Sequence, residues 1–157
     1  FSQIGTNPEL TPINIIPIIE GAMNYLCSRS SKKVIYDINL PKEEEIILPI
    51  NQCLLEWVLE NLSKNAIDAM GGIGTLSLEM SQDNKRVIID ISDTGKGMQK
   101  KEFKKIFEAG YTTKERGWGM GLSLAKRIIE EYHHGKIFVK QSVIGKGTTF
   151  RIMLKKL

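Results

Sequence analysis

Cysteine is scarce in this chain: Cys27 and Cys53 are the only two, far apart and outside any C-x-x-C spacing. That leaves no cysteine metal or redox motif, and the two thiols read as small apolar residues in reduced form. Long apolar runs are missing too. None approaches the roughly 18 residues of a membrane span, and no signal peptide is visible. Charge does not gather in blocks. The lysines are spread along the chain and the net charge is a mild +4, so a nucleic-acid footprint has little support and no nucleic-acid partner is expected. A small basic excess does suit an anionic phosphate ligand. There is no internal repeat and no low-complexity segment. What remains is ordinary globular composition, 41% apolar and 25% charged over 157 residues, enough for one domain with a real core. The chain opens on Phe1 and not on Met, so it is expected to be a fragment. The missing membrane span then says nothing of a parent protein, which could be soluble or membrane-anchored.

The elements can be placed from periodicity. Residues 1–13, with Gly5, Pro8 and Pro12, read as a connector ending in a short extended piece, and residues 1–10 as a linker ahead of a domain over 11–157. Ile16, Ile19, Met23 and Leu26 recur at helical spacing, which predicts a helix over 15–29 with Asn14 as its cap and Pro17 tolerated in the first turn. Strands follow at Val34 to Leu40 and Ile46 to Ile50. The clearest helix is 52–70: Leu55, Val58, Leu59, Leu62, Ala66 and Ala69 form one stripe, and Gly71-Gly72 supplies the stop. A hairpin carries Leu76-Leu78-Met80 and Val87-Ile89-Ile91 around Asp83-Asn84. A short helix is predicted over Gln99 to Glu108, a loop over 109–119, and a helix over 120–132. Two strands, Lys136 to Gln141 and Thr148 to Leu154, close the chain. Antiparallel pairs of strands with helices between them predict an α+β two-layer sandwich, a mixed and mostly antiparallel sheet with helices on one face.

The chemistry concentrates in Asp93 to Leu122. Asp93 continues the alternation of Val87-Ile89-Ile91, so its carboxylate points to the buried face. A buried carboxylate needs a partner and the nearby sequence offers no cation. The exocyclic amine of adenine would serve, with Gly95 and Gly97 letting the backbone come close. Read alone, D-x-G is equally a surface turn. On the helix of 52–70, Asn61, Asn65 and Asp68 share a second stripe at i, i+4 and i+7. Amide oxygens one turn apart can hold a hard cation such as Mg²⁺. Ordinary polar helix positions are the alternative, though asparagine is a mediocre helix former. Gly117, Gly119 and Gly121 open a helix, where free N–H groups favour anions. The pattern is neither a P-loop nor a dinucleotide fingerprint. Lys114 and Arg116 are candidate phosphate cations or solvated loop charges. Phe103 and Phe107 face the core by spacing, Tyr111 can pack over the loop, and Trp118 reads as a loop anchor or partner contact. His133-His134, just before Gly135, reads as a helix C-terminal cap in preference to a phosphoacceptor or metal pair.

These motifs coincide with a family. N-L-S-K-N-A-I-D-A at 61–69 resembles the N box of the histidine-kinase ATP-binding domain, and D-T-G-K-G at 93–97 its first glycine box. F-K-K-I-F-E-A-G-Y-T-T-K at 103–114 is similar to the F box, G-W-G-M-G-L at 117–122 to the second glycine box, and G-K-G-T-T-F at 145–150 to the last glycine-rich motif. Five motifs in family order are specific, and the resemblance covers nearly everything from about Thr11 to the end. The resemblance implies the Bergerat fold shared with gyrase, Hsp90 and MutL-type ATPases. It implies an ATP site with Mg²⁺ held by Asn65 and Asn61, and contacts from Asp68. It implies adenine read by Asp93, with Gly95, Gly97, Met98 and Thr148 around it. It implies a lid over 109–119 contributing Tyr111, Thr112, Thr113, Lys114, Gly117 and Gly119, followed by Gly121 and Leu122, with catalytic roles for Asn61 and Lys114. It further implies a cytoplasmic domain that transfers a phosphoryl group from ATP to a histidine on a dimerisation domain, and a response regulator receiver domain as onward partner. The acceptor motif itself is missing from this sequence, and Phe1 to Gly5 resembles the tail of a dimerisation helix. Two departures stand out: Ala109-Gly110 where the F box often has proline and phenylalanine, and Asn61 where gyrase-like members place a glutamate base. The second favours a kinase over an ATPase switch or a regulatory nucleotide-binding module.

Overall fold

The computed structural model describes residues 7–42, 44–111 and 121–157. Strand β1 (Thr11–Asn14) runs straight into helix α1 (Ile15–Arg29), and Asn14 ends one and caps the other. Its side-chain oxygen accepts from Ile16 N–H and also from Ile46 N–H, both at 3.2 Å. Pro17 falls in the first turn, where its missing N–H costs nothing. Strands β2 (Val34–Asn39) and β3 (Ile47–Ile50) lead to helix α2 (Gln52–Ala69). Next come the hairpin β4 (Gly74–Gln82) and β5 (Arg86–Ser92), helix α3 (Gly121–Arg127), and the closing strands β6 (Lys136–Val143) and β7 (Gly147–Lys155).

The main sheet has five strands in the order β2-β4-β5-β7-β6. β2 joins it parallel to β4 and the other pairs are antiparallel. The expected mixed, mostly antiparallel sheet is therefore present. β3 does not join it: it pairs with β1 in a separate two-stranded sheet, Thr11 opposite Ile50 and Asn14 opposite Ile47. One face of the main sheet offers Leu76, Leu78, Val87, Ile89, Ile91, Ile152 and Leu154, all nearly inaccessible, to buried residues of the helices such as Ile19, Met23, Leu55, Leu59 and Ile129. The other face carries polar ladders. There Arg151 grips Asp90 through two bonds of 2.9 Å, and Ser92 meets Thr149 at 2.7 Å.

Two predicted helices differ in detail. Gln99 to Glu108 is not one helix but two short 3₁₀ turns, Lys100–Glu102 and Lys105–Phe107. Its lysines repel at i, i+4, Lys100 against Lys104 and Lys101 against Lys105, and so short a segment has little helical stability to offset that. α3 widens into a π turn over Ile128–Tyr132. His133 is the cause: both its backbone N–H and its ring Nδ1 bond the carbonyl of Ile128, at 3.0 and 2.9 Å. Among the described residues, no helix is long and apolar enough to cross a membrane.

Candidate functional site: a buried carboxylate facing the asparagine helix

α2 ends in a Schellman turn. Gly72 N–H bonds the carbonyl of Ile67 and Gly71 N–H that of Asp68, with both glycines at positive φ. The carbonyl of Ala69 is then left over, and Lys96 N–H takes it at 3.0 Å. The loop after β5 is thereby pinned on the end of α2. Gly95 must be glycine there, since a Cβ would lie 2.6 Å from the Ala69 carbonyl. From the other side Gly145 N–H bonds Lys96 O at 2.7 Å, so the β6–β7 turn closes on the same loop. Gly97, at φ 70, has the carbonyl of Val143 against the space a side chain would need.

Asp93 sits at the centre of this frame and is 8% exposed. Its Oδ1 accepts from Gly95 N–H at 2.8 Å and from Thr148 N–H at 3.3 Å. Burial pushes the carboxyl above its usual range, and the two N–H bonds only partly oppose that. Among the described residues no salt bridge reaches Asp93. Thr148 is buried beside it and its carbonyl takes Asp93 N–H at 2.9 Å. Met98 leaves the loop with its N–H on Ser142 Oγ at 2.8 Å, and Ser142 in turn meets Thr148 Oγ1 at 2.7 Å and Gly147 O at 3.1 Å. The sequence reading brought together Asp93, Gly95, Gly97, Met98 and Thr148 but missed Ser142 and the Ala69 carbonyl. A backbone acceptor carries no sequence signal. Ser142 lies just past the end of the predicted strand, on the far side of an irregularity that alternation cannot show.

The second half of the site is on α2. Asn61 and Asn65 are half-buried one turn apart, and Asp68 is exposed. Asn61 Nδ2 is buried and finds no hydrogen-bond partner among the described residues. Gly121, the first residue of α3, lies against that amide: a Cβ there would be 2.7 Å from Nδ2 and 2.9 Å from Oδ1. Leu122 packs on the core, as do Tyr111, Phe103 and the buried Phe107. From Asn61 to Ala69 α2 rises about 12 Å at 1.5 Å per residue, so one helix supports both ends of the site. The expected lid residues Thr112, Thr113, Lys114, Gly117 and Gly119 lie outside the described residues, as do Arg116 and Trp118.

His133 is a cap, but not a charged one. It is buried, accepts Asn51 N–H on Nε2 at 3.0 Å, and has its pKa lowered chiefly by burial. The neutral ring donates from Nδ1 to Ile128 O and ties the π turn to the start of α2. Among the described residues no group of three or more His, Cys, Asp or Glu could hold a metal.

The family model for histidine kinase-, DNA gyrase B-, and HSP90-like ATPases matches residues 51–157. The sensor histidine kinase ZraS of Salmonella typhimurium strain LT2 is 36% identical over 146 residues, covering 92% of this chain and 31% of its own length. Sporulation kinase E of Bacillus subtilis strain 168 is 44% identical over 101 residues, 64% of this chain and 13% of its own. The chain thus spans a third or less of these relatives. Among solved structures, the catalytic domain of the histidine kinase ThkA superposes with a TM-score of 0.84 at 26% identity, over 95% of this chain and 97% of that one.

Proposed function

The chain belongs to the histidine kinase-, DNA gyrase B- and HSP90-like ATPases, and from that premise we propose that it is the catalytic part of a sensor kinase that transfers the γ-phosphoryl of ATP to a histidine on a dimerisation domain. The observation that carries this reading is the pairing of a buried carboxylate at Asp93 with a buried amide at Asn61 on α2, the first without a cation and the second without a partner for its Nδ2 among the described residues. Asp93 takes the exocyclic amine of adenine, a donor additional to the two peptide N–H groups already on its Oδ1. Gly95, Gly97 and Met98 bring the backbone to the base, and Thr148 stands beside it. The Asn61 amide, with Gly121 held against it, faces the phosphates. Asp68, Tyr111, Thr112, Thr113, Lys114, Gly117, Gly119 and Leu122 complete the contacts.

The amides fit a magnesium ion in this role. Their side-chain oxygens are neutral ligands one turn apart, and the buried Asn61 Nδ2, without a partner among the described residues, is a donor that a phosphate oxygen would satisfy. When bound, the ion neutralises charge on the phosphates. Asn65 and Asn61 would hold it, and Lys114 would meet the transferring phosphoryl group. Asn61 cannot accept a proton, so water is not activated in the position where hydrolytic relatives carry a base, and transfer waits for a docked imidazole. That imidazole is not His133, which is buried and committed to two bonds. Nor is His134 followed by an acidic residue. The acceptor therefore belongs to another segment, with residues 1–10 as the linker towards it. A cytoplasmic setting and a response regulator as the next acceptor follow from the same reading.

The test is to mix this chain with a separate helical hairpin bearing the acceptor histidine and with labelled ATP. Acid-labile label on the hairpin is expected. Nucleotide hydrolysis with no labelled histidine would instead favour an ATPase switch.

A further inference from the structure

The structure assigns Ser142 as a positioning residue that turns the Thr148 hydroxyl so that Thr148 and Asp93 present only acceptors to the base, selecting a purine with an amino group at C6 over one with a carbonyl. This rests on the reading that Asp93 and Thr148 face the base. The argument for Ser142 itself begins with the strand. Along β6, Ile137 and Val139 are buried, and strict alternation would next turn Gln141 inward and Ser142 out. The register breaks between Val139 and Gln141: Val139 pairs with Phe150, yet Gln141 pairs with Thr149. Lys140 is the extra residue of a bulge, and the bulge puts Ser142 opposite Thr148 on the inner face. There it sits at the junction of three motifs that recognise nothing through it directly: the exit of the Asp93 loop at Met98, the turn at Gly147, and Thr148.

Counting protons sets the direction of each bond. A serine hydroxyl has one proton and two lone pairs. Met98 N–H can only donate to Ser142 Oγ, and Gly147 O can only accept from it. One lone pair and the proton are then used. The contact to Thr148 Oγ1 at 2.7 Å can be a hydrogen bond only if Thr148 donates to the remaining lone pair. Its proton thus committed, Thr148 Oγ1 offers lone pairs alone. Asp93, as a carboxylate, offers lone pairs as well. An amino group satisfies such a pair, whereas a carbonyl at the same place meets two acceptors. Without Ser142 the threonine hydroxyl is free to rotate and donate to that carbonyl.

The measurement is calorimetry of ATP and of ITP, whose base has a carbonyl at C6, on the 157-residue chain and its variants. Ser142→Ala is expected to narrow the ATP-to-ITP preference by about tenfold, the scale of one hydrogen bond gained or lost. Ser142→Thr, which keeps the hydroxyl and suits a strand, is expected to restore it. The ratio is insensitive to a general loss of affinity, so a merely structural role for Ser142 would leave it unchanged, and that result overturns the assignment. Failure of Ser142→Thr to restore the ratio also counts against it. Should Ser142→Ala not fold, Thr148→Val removes the hydroxyl that Ser142 orients and must narrow the ratio likewise; an unaltered ratio overturns the proposal. Asp93→Asn separates the two levels. If it abolishes the preference while Ser142→Ala does not, only the Ser142 assignment falls. If it alters neither affinity nor ratio, the base reading falls and takes Ser142 with it.

Discussion

At the Asp93 end of the site, protein groups bond to one another: a carboxylate held by two peptide N–H groups, and Ser142 joining Met98, Gly147 and Thr148. At the Asn61 end, a buried amide lacks a partner among the described residues, and only a glycine's missing Cβ makes room for it. The first end is rigid because its frame is backbone, with Lys96 pinned on Ala69 and the β6–β7 turn closed over it. The second depends on side chains of one helix and on whatever fills the space beside them. A flat base with fixed donors can be met by a preformed surface. A charged, hydrated triphosphate is better met by groups whose hydrogen bonding is completed on binding.

The largest expected effect on nucleotide binding comes from breaking the rigid end. Asp93→Asn should weaken ATP binding by about 1.5–3 kcal/mol, the range for a hydrogen bond to a charged group, read by calorimetry. The same variant should not lower the melting temperature of the ligand-free protein, because the buried charge it removes is itself unfavourable. Unchanged ATP affinity would sink the assignment. At the other end, Asn65→Ala should weaken magnesium-dependent ATP binding and abolish transfer while leaving adenosine affinity nearly intact. Equal loss for adenosine and for Mg-ATP would erase the distinction between the two ends.

The smallest effect concerns pH. His133 anchors the start of α2, and its folded pKa lies below the ordinary 6.5 because it is buried. The unfolded chain then binds the extra proton, so this contribution to stability is present above about pH 6.5 and is lost as pH falls through the folded value. Asp93 tilts the other way. Its folded pKa is raised, so its burial penalty appears as pH rises through that value. Melting curves against pH should show an acid-side decline beginning near 6.5 that is flatter in His133→Gln, with a slope no greater than the roughly 1.4 kcal/mol per pH unit of one proton. An unaltered curve in that variant would remove His133 from the account.

Much of this was legible in the sequence. The stripe Leu55 to Ala66 and the Gly71-Gly72 stop set α2 within a residue of its observed bounds, since helical period and left-handed caps are local signals. Asn14 as a cap, the 76–91 hairpin and the inward turn of Asp93 followed for the same reason. The Gln99–Glu108 helix failed because like charges outweighed a weak apolar period. The pairing of β3 with β1 was invisible, since neither strand names its partner.

Determined by the sequence alone were the two long helices, the strand phases up to the bulge in β6, the glycines that a tight frame requires, and the placing of two asparagines and one aspartate on buried or half-buried faces. These depend on period and local sterics, which each segment carries within itself. Tertiary structure alone decided that the Ala69 carbonyl would hold Lys96, that His133 would be neutral and bonded to Asn51, and that a bulge at Lys140 would turn Ser142 towards Thr148. Those are meetings of groups distant along the chain, several through the backbone, and no residue's identity announces which distant group it will meet.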